Sequence, residues 1–209
     1  MGRGDGEAAR ARAVAEQLAA GLEVPDARFD RLLGHDLQLL AGLHFTPVTV
    51  ARRAAAWLAE AGEVADLGAG AGKLCLVGAA TTGARFTGIE RRAGLVALAA
   101  RLARDMGLDR AQFVHGDLLT VPLRRFRAFY VYDPFSEAEA EEDERLDAAP
   151  PAADRRASAE ALLARLEEAP SGSRLAIFCG LGGPEPSGWR RVAREPQGER
   201  GDPLDLWEK

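Results

Sequence analysis

Three features of the chain predict an α/β fold of the Rossmann-like, doubly wound kind. Short apolar runs alternate with helical stretches from residue 64 onward, a pattern that builds a mostly parallel sheet covered on both faces. The first run feeds a glycine-rich turn that opens a helix, VADLGAGAGKL at 64–74. Near the C-terminus the connection GLGGPEPSG, between Cys179 and Trp189, is too short and too rich in Gly and Pro for a crossover helix, so the sheet should close with an antiparallel strand pair.

Each element has its own signal. EAARARAVAEQLAAGL (Glu7 to Leu22) is alanine-rich with Val14 and Leu18 at helical spacing, and Asp26 to Leu40 carries an apolar stripe of Phe29, Leu32, Leu33, Leu37 and Leu40. Thr46-Pro47 signals a helix start, continued by VTVARRAAAWLAEAG toward Gly62. Strands are expected at 64–67, 85–89, 112–115, 128–132 and 175–179, with two closing strands at 189–194 and 204–207, seven in all. Helices are expected at 73–80 and 93–106 and in a long stretch ending near Glu168. The acidic run EAEAEEDE (Glu137 to Glu144) suits the solvated start of that last helix, an acidic lid over a substrate being the sharper alternative. The domain division predicted is a helical extension over 1–44 and a main domain over 45–209.

A chain of 209 residues with 47% hydrophobic residues is long enough for one sizeable core. Its net charge of -5 argues against a surface built to neutralise phosphates, so nucleic acid is not the expected partner. The two cysteines, Cys75 and Cys179, lie outside any CxxC pair, and His35, His44 and His115 are scattered, so no metal site is expected. No apolar run reaches bilayer-spanning length, and a cytoplasmic location without membrane contact is the expectation. The oligomeric state does not follow from the sequence.

Gly68, Gly70 and Gly72 follow Asp66 at the end of the first predicted strand. Ligands of open α/β sheets bind at such carboxyl edges, where backbone N–H groups and a helix N-terminus converge. A P-loop is ruled out because Leu67 and Leu74 occupy its first Gly and its Ser/Thr positions; a G-x-G-x-x-G fingerprint is weakened by Lys73 or Cys75 at its third glycine. What remains is D-x-G-x-G-x-G, followed by two more acids at predicted strand ends, Glu90 in FTGIE and Asp117 in FVHGDLL. Each also has a local structural explanation: Asp66 as a helix cap, Glu90 paired with Arg91 or Arg92, Asp117 in an Asx turn.

Asp66-Leu67-Gly68-Ala69-Gly70-Ala71-Gly72 resembles the first motif of class I S-adenosylmethionine (SAM) dependent methyltransferases. The resemblance implies SAM as cofactor, Glu90 as the acid on the ribose hydroxyls, Asp117 as acceptor of the adenine amino group and Leu118 as cover for the ring. Over Phe45 to the C-terminus the chain is most similar to the seven-strand, non-SET protein-lysine methyltransferases; Phe45-Thr46-Pro47 resembles their entry segment over the cofactor, which brings in Thr46. Asp133-Pro134-Phe135 resembles the [DN]PP[YFW] turn of amine methyltransferases without its second proline. That likeness implies that Asp133 and the Pro134 carbonyl orient an amine while Phe135, with Tyr132 or without it, walls a channel. The expected activity is N-methylation of a protein lysine. A small-molecule or nucleic-acid amine as acceptor, and a non-catalytic SAM- or nucleotide-binding protein, stay open as alternatives.

Overall fold

A computed structural model describes residues 3–138, 140–141, 144–146, 154–198 and 200–209. Seven strands form one sheet: β1 (Glu63–Leu67), β2 (Arg85–Glu90), β3 (Ala111–His115), β4 (Ala128–Tyr132), β5 (Arg174–Phe178), β6 (Arg190–Gln197) and β7 (Asp202–Glu208). Their order is β3-β2-β1-β4-β5-β7-β6, the first five parallel and β7 antiparallel to both neighbours. The chain therefore reverses its strand order between β1 and β4, which opens a crevice at their carboxyl ends.

Strand alternation sorts the core into two layers. Val64, Phe86, Ala128 and Tyr130 face the helices α1 (Arg3–Ala19), α4 (Val48–Leu58), α5 (Lys73–Thr81) and α6 (Ala93–Met106). Ala65, Leu67, Ile89, Phe129 and Val131 face α7 (Arg155–Leu166), which presents Ala159, Leu162, Leu163 and Leu166 at helical spacing.

The N-terminal helices share this core. Ala11, Val14, Ala15 and Leu18 of α1 are buried, and α1 packs on α6 and α5. The predicted helix over Asp26 to Leu40 is two helices, α2 (Asp26–Asp30) and α3 (His35–His44), because Gly34 at φ +90° breaks the run. Asp26 then ties the layer together. Its Oδ1 accepts the Val48 amide at the start of α4 (2.8 Å) and the ammonium of Lys73 at the start of α5 (2.5 Å). Lys73, 2% exposed, also binds Asp30 at 2.8 Å, and burial raises the pKa of Asp30 despite that cation. The segment 1–44, where described, is thus built into the same core as the remainder rather than appended to it.

The long helix predicted after β4 begins later. Ser136–Ala138 is a 3-10 turn, and α7 starts at Arg155 with the Asp154 side chain accepting the Ala157 amide at 3.0 Å. In the acidic run, Glu137 turns inward to Arg92 instead of facing solvent; Glu139, Glu142 and Asp143 lie outside the described residues.

Candidate active site

A cavity of about 480 Å³ occupies the crevice at the strand ends. One half is built by the glycine turn. Gly68 and Gly70 line it with φ +86° and +55°. A Cβ on Gly68 would sit 3.1 Å from Pro134 Cβ, and one on Gly70 would sit 3.0 Å from the Phe45 ring, so side chains there would fill the crevice. Gly72, the third glycine, does not line the cavity: a Cβ there would lie 2.4 Å from Phe113 and 2.9 Å from Ala99, so this glycine serves the close approach of α5 to its neighbours.

Glu90 ends β2 in the cavity wall and is 4% exposed. Its Oε2 accepts the Gly70 amide at 3.0 Å and its Oε1 accepts the Arg92 amide at 2.8 Å, with the Arg92 guanidinium 3.5 Å away. Oε2 keeps a lone pair for a further proton donor. Arg92 continues to Glu137, so the rim is held by a Glu90–Arg92–Glu137 chain. Asp117 also lines the cavity, but its Oδ1 accepts the Leu119 amide at 2.8 Å in an Asx turn, and its side chain is exposed. Leu118 beside it is buried against the position of Gly68.

Besides Gly72, two predicted contacts fall elsewhere. Asp66 is 4% exposed yet absent from the cavity wall. It has the strand parity of Val64, so it points into the α4 and α5 layer, where Cys75 Sγ donates to its Oδ2 at 3.5 Å. Burial lifts its pKa to about 7, aided by the weaker repulsion from Glu90. The three carboxylates therefore do not converge on one bend; Glu90 and Asp117 reach the cavity, and Asp66 lies under the turn. Thr46 is also buried beneath it, with its hydroxyl 3.0 Å from that of Tyr130, the residue paired with Asp66 in the sheet. Gly42, Leu43 and His44, at the end of α3 just before the Phe45-Thr46-Pro47 segment, line the cavity instead.

The other half of the cavity is lined by Asp133, Pro134 and Phe135. Asp133 is at φ +30° and Cys179, at the end of the adjacent β5, is at φ +59°; these are the only non-glycine residues with positive φ among the described residues. Such strain concentrates at functional sites. Arg155 holds Asp133 Oδ2 at 2.6 Å. Tyr132 lines the cavity, its hydroxyl donating to the Leu43 carbonyl at 3.2 Å, and burial first, then nearby negative charge, raises its pKa to about 12. The Cys179 thiol is likewise pushed up to about 12 by burial, with Asp202 and Asp133 adding to it.

The sequence reading did not find Arg92, Arg155, Cys179, Arg200 or Asp202 at the site. Arg200 comes from the β6–β7 connection and Asp202 from the first position of β7, which the antiparallel closure places at the cavity.

Residues 64–149 match a sequence-family model described as a methyltransferase domain. That stretch holds the glycine turn, the two strand-end acids and the Asp133 turn, and in it the chain is similar to class I, SAM-dependent methyltransferases. No curated protein matches the sequence. Among solved structures, the domain superposes on an RNA methyltransferase from Salinibacter ruber bound to S-adenosylhomocysteine, with TM-score 0.57 and 22% identity over 78% of this chain and 92% of that one. It also superposes on a putative methyltransferase, yhhF, from Escherichia coli (TM-score 0.56, 16% identity, 80% and 88% coverage). A third similar structure is the glycopeptide N-methyltransferase MtfA (TM-score 0.52, 20% identity, 76% and 92%). These likenesses establish the seven-strand methyltransferase fold. The residues present fit SAM: two glycines leave the turn bare, and a buried carboxylate with spare acceptor capacity stands where the second strand ends.

Proposed function

We propose that the protein transfers the methyl group of SAM to an amine, and that the amine is the side chain of a protein lysine. The observation that carries the reading is the Asp133-Pro134-Phe135 turn, seated against Gly68 so that one wall is shared by the glycine turn and the far half of the cavity.

SAM, when bound, supplies an activated methyl group on a cationic sulfur. The rest is done by the chain. Gly68 and Gly70 admit the cofactor, Glu90 accepts ribose hydroxyl protons, and Asp117 with Leu118 borders the adenine end. Asp66 and Thr46 are buried outside the cavity wall against Cys75 and Tyr130, and Gly72 lets α5 close on β3. Asp133, oriented by Arg155, accepts a hydrogen bond from the incoming neutral amine, the Pro134 carbonyl accepts another so that the lone pair faces the methyl carbon, and Phe135 covers the approach. A free lysine has a pKa near 10.4, so its amine must reach the cavity neutral, and the apolar walls of Phe135, Leu43 and Pro134 favour that form. Tyr132 and Cys179, each with its pKa near 12, hold their protons at neutral pH and are not bases. Positioning is the main source of rate.

A cavity of about 480 Å³ sits in the lower part of the range for pockets enclosing one ligand, ~300–1,000 Å³. The test is incubation of the purified protein with radiolabelled SAM and a cell lysate, followed by fractionation. Label in lysine of the protein fraction supports the reading; label only in RNA or small metabolites contradicts the lysine acceptor.

A further inference from the structure

Two of the three arginines of helix α7, Arg155 and Arg165, lie ten positions apart, about 15 Å along the axis at 1.5 Å per residue. They bind lining residues of opposite halves of the cavity. Arg155, in the first turn, binds Asp133 at 2.6 Å. Arg165, in the last turn, donates from one guanidinium nitrogen to the Leu118 carbonyl at 2.5 Å and from the other to the Val121 carbonyl.

The segment that Arg165 grips is a single helical turn. Thr120 and Val121 donate their amides to the Asp117 carbonyl, each at 2.9 Å, and Leu119 donates to the Asp117 side chain. One turn leaves its carbonyls without helical partners, and a lone turn is marginal in water. A planar, permanently charged fork satisfies two such carbonyls at once and favours the negative end of the turn, which a lysine, with a single point of charge, does less well. Asp117 and Leu118, the two cavity-lining residues of this turn, are therefore held by a helix that lies on the opposite face of the sheet from α5.

We infer that α7 is a two-ended brace of the active site: Arg165 is a positioning residue for the wall at the cofactor's adenine end, and Arg155 is a positioning residue for the acceptor turn. This rests on the cavity being the SAM site.

The test compares Arg165→Ala, Arg165→Lys and Arg155→Ala with wild type, and uses Arg124→Ala, which removes an equal charge from an exposed position nearby, as control. In the unliganded protein, amide exchange at Thr120 and Val121 should quicken in Arg165→Ala and not in the control. By calorimetry, Arg165→Ala should weaken S-adenosylhomocysteine binding by about tenfold, with Arg165→Lys restoring it only in part. In turnover, Arg165→Ala should raise the KM for SAM and leave that for the acceptor, while Arg155→Ala should do the reverse. Unchanged exchange and unchanged affinity in a folded Arg165→Ala protein would overturn the brace. Absence of S-adenosylhomocysteine binding by the wild type would instead overturn the assignment of the cavity, and the brace with it.

Discussion

Glu90 Oε2 accepts the amide of Gly70 at 3.0 Å, linking the end of β2 to the turn after β1. The side chain proposed to hold the ribose thus also fixes the backbone of the glycine turn. Its carboxylate shapes the site before any ligand arrives, and part of the cost of ordering the turn is met by folding.

Gly72 and Gly70 separate packing from binding. Gly72→Ala places a Cβ 2.4 Å from Phe113 at φ +78° and should destabilise the fold by about 2 kcal/mol or more. Thermal denaturation should register the loss, while the folded fraction binds S-adenosylhomocysteine within about twofold of wild type, because Gly72 does not line the cavity. Gly70→Ala should weaken binding directly.

Lys73→Met should cost about 3–5 kcal/mol, since it strands the Asp30 carboxylate in the core beside α2. Adding Asp30→Asn should recover part of the loss. Denaturant unfolding of the two single variants and the double variant measures this coupling.

Asp66 gives stability a pH dependence. The folded protein keeps its proton up to about pH 7, whereas an ordinary aspartate releases it near 3.8, so folding takes up a proton between those values. The contribution of Asp66 is therefore fully present below about pH 4, is lost as pH rises toward 7, and is constant above that. Asp66→Asn removes the dependence, so the melting temperature of the variant minus that of wild type should climb across this window and then level off. A flat difference would contradict the buried carboxyl.

The sheet was legible because its signals are local. Parallel strands buried on both faces read as apolar runs, and the absence of room for a helix between Cys179 and Trp189 foretold the antiparallel closure. The turn residues Gly68, Gly70 and Glu90, and the Asp133-Pro134-Phe135 turn, were legible because each follows a strand and so must emerge at one edge. Asp66 was misplaced toward the ligand because its position near the strand end suggested the edge, whereas pleat parity turns it toward Cys75. Thr46 was misplaced for a related reason: its hydroxyl finds Tyr130, a partner 84 residues away. Arg155 and Arg165 act across 22 and 47 residues, and no spacing rule links an arginine to a carbonyl at that distance. The helix expected from Glu137 looked continuous by composition; the Asp154 cap that marks its true start is one residue among many acids.

Asp133→Asn should reduce methyl transfer by roughly a hundredfold or more while leaving S-adenosylhomocysteine affinity within about threefold, a split that assigns Asp133 to the acceptor rather than the cofactor. Single-turnover rates with labelled SAM, set beside calorimetric affinities, would read both quantities. Equal losses in rate and affinity would place Asp133 in cofactor binding instead.

The most direct test of the cofactor assignment is calorimetric titration of S-adenosylhomocysteine into wild type and Glu90→Ala. Wild type should bind, and Glu90→Ala should bind roughly ten- to a hundredfold more weakly, because a buried carboxylate's hydrogen bonds to the ligand and to the Gly70 amide are both lost. No heat with wild type, or equal affinity in a folded Glu90→Ala protein, would contradict it.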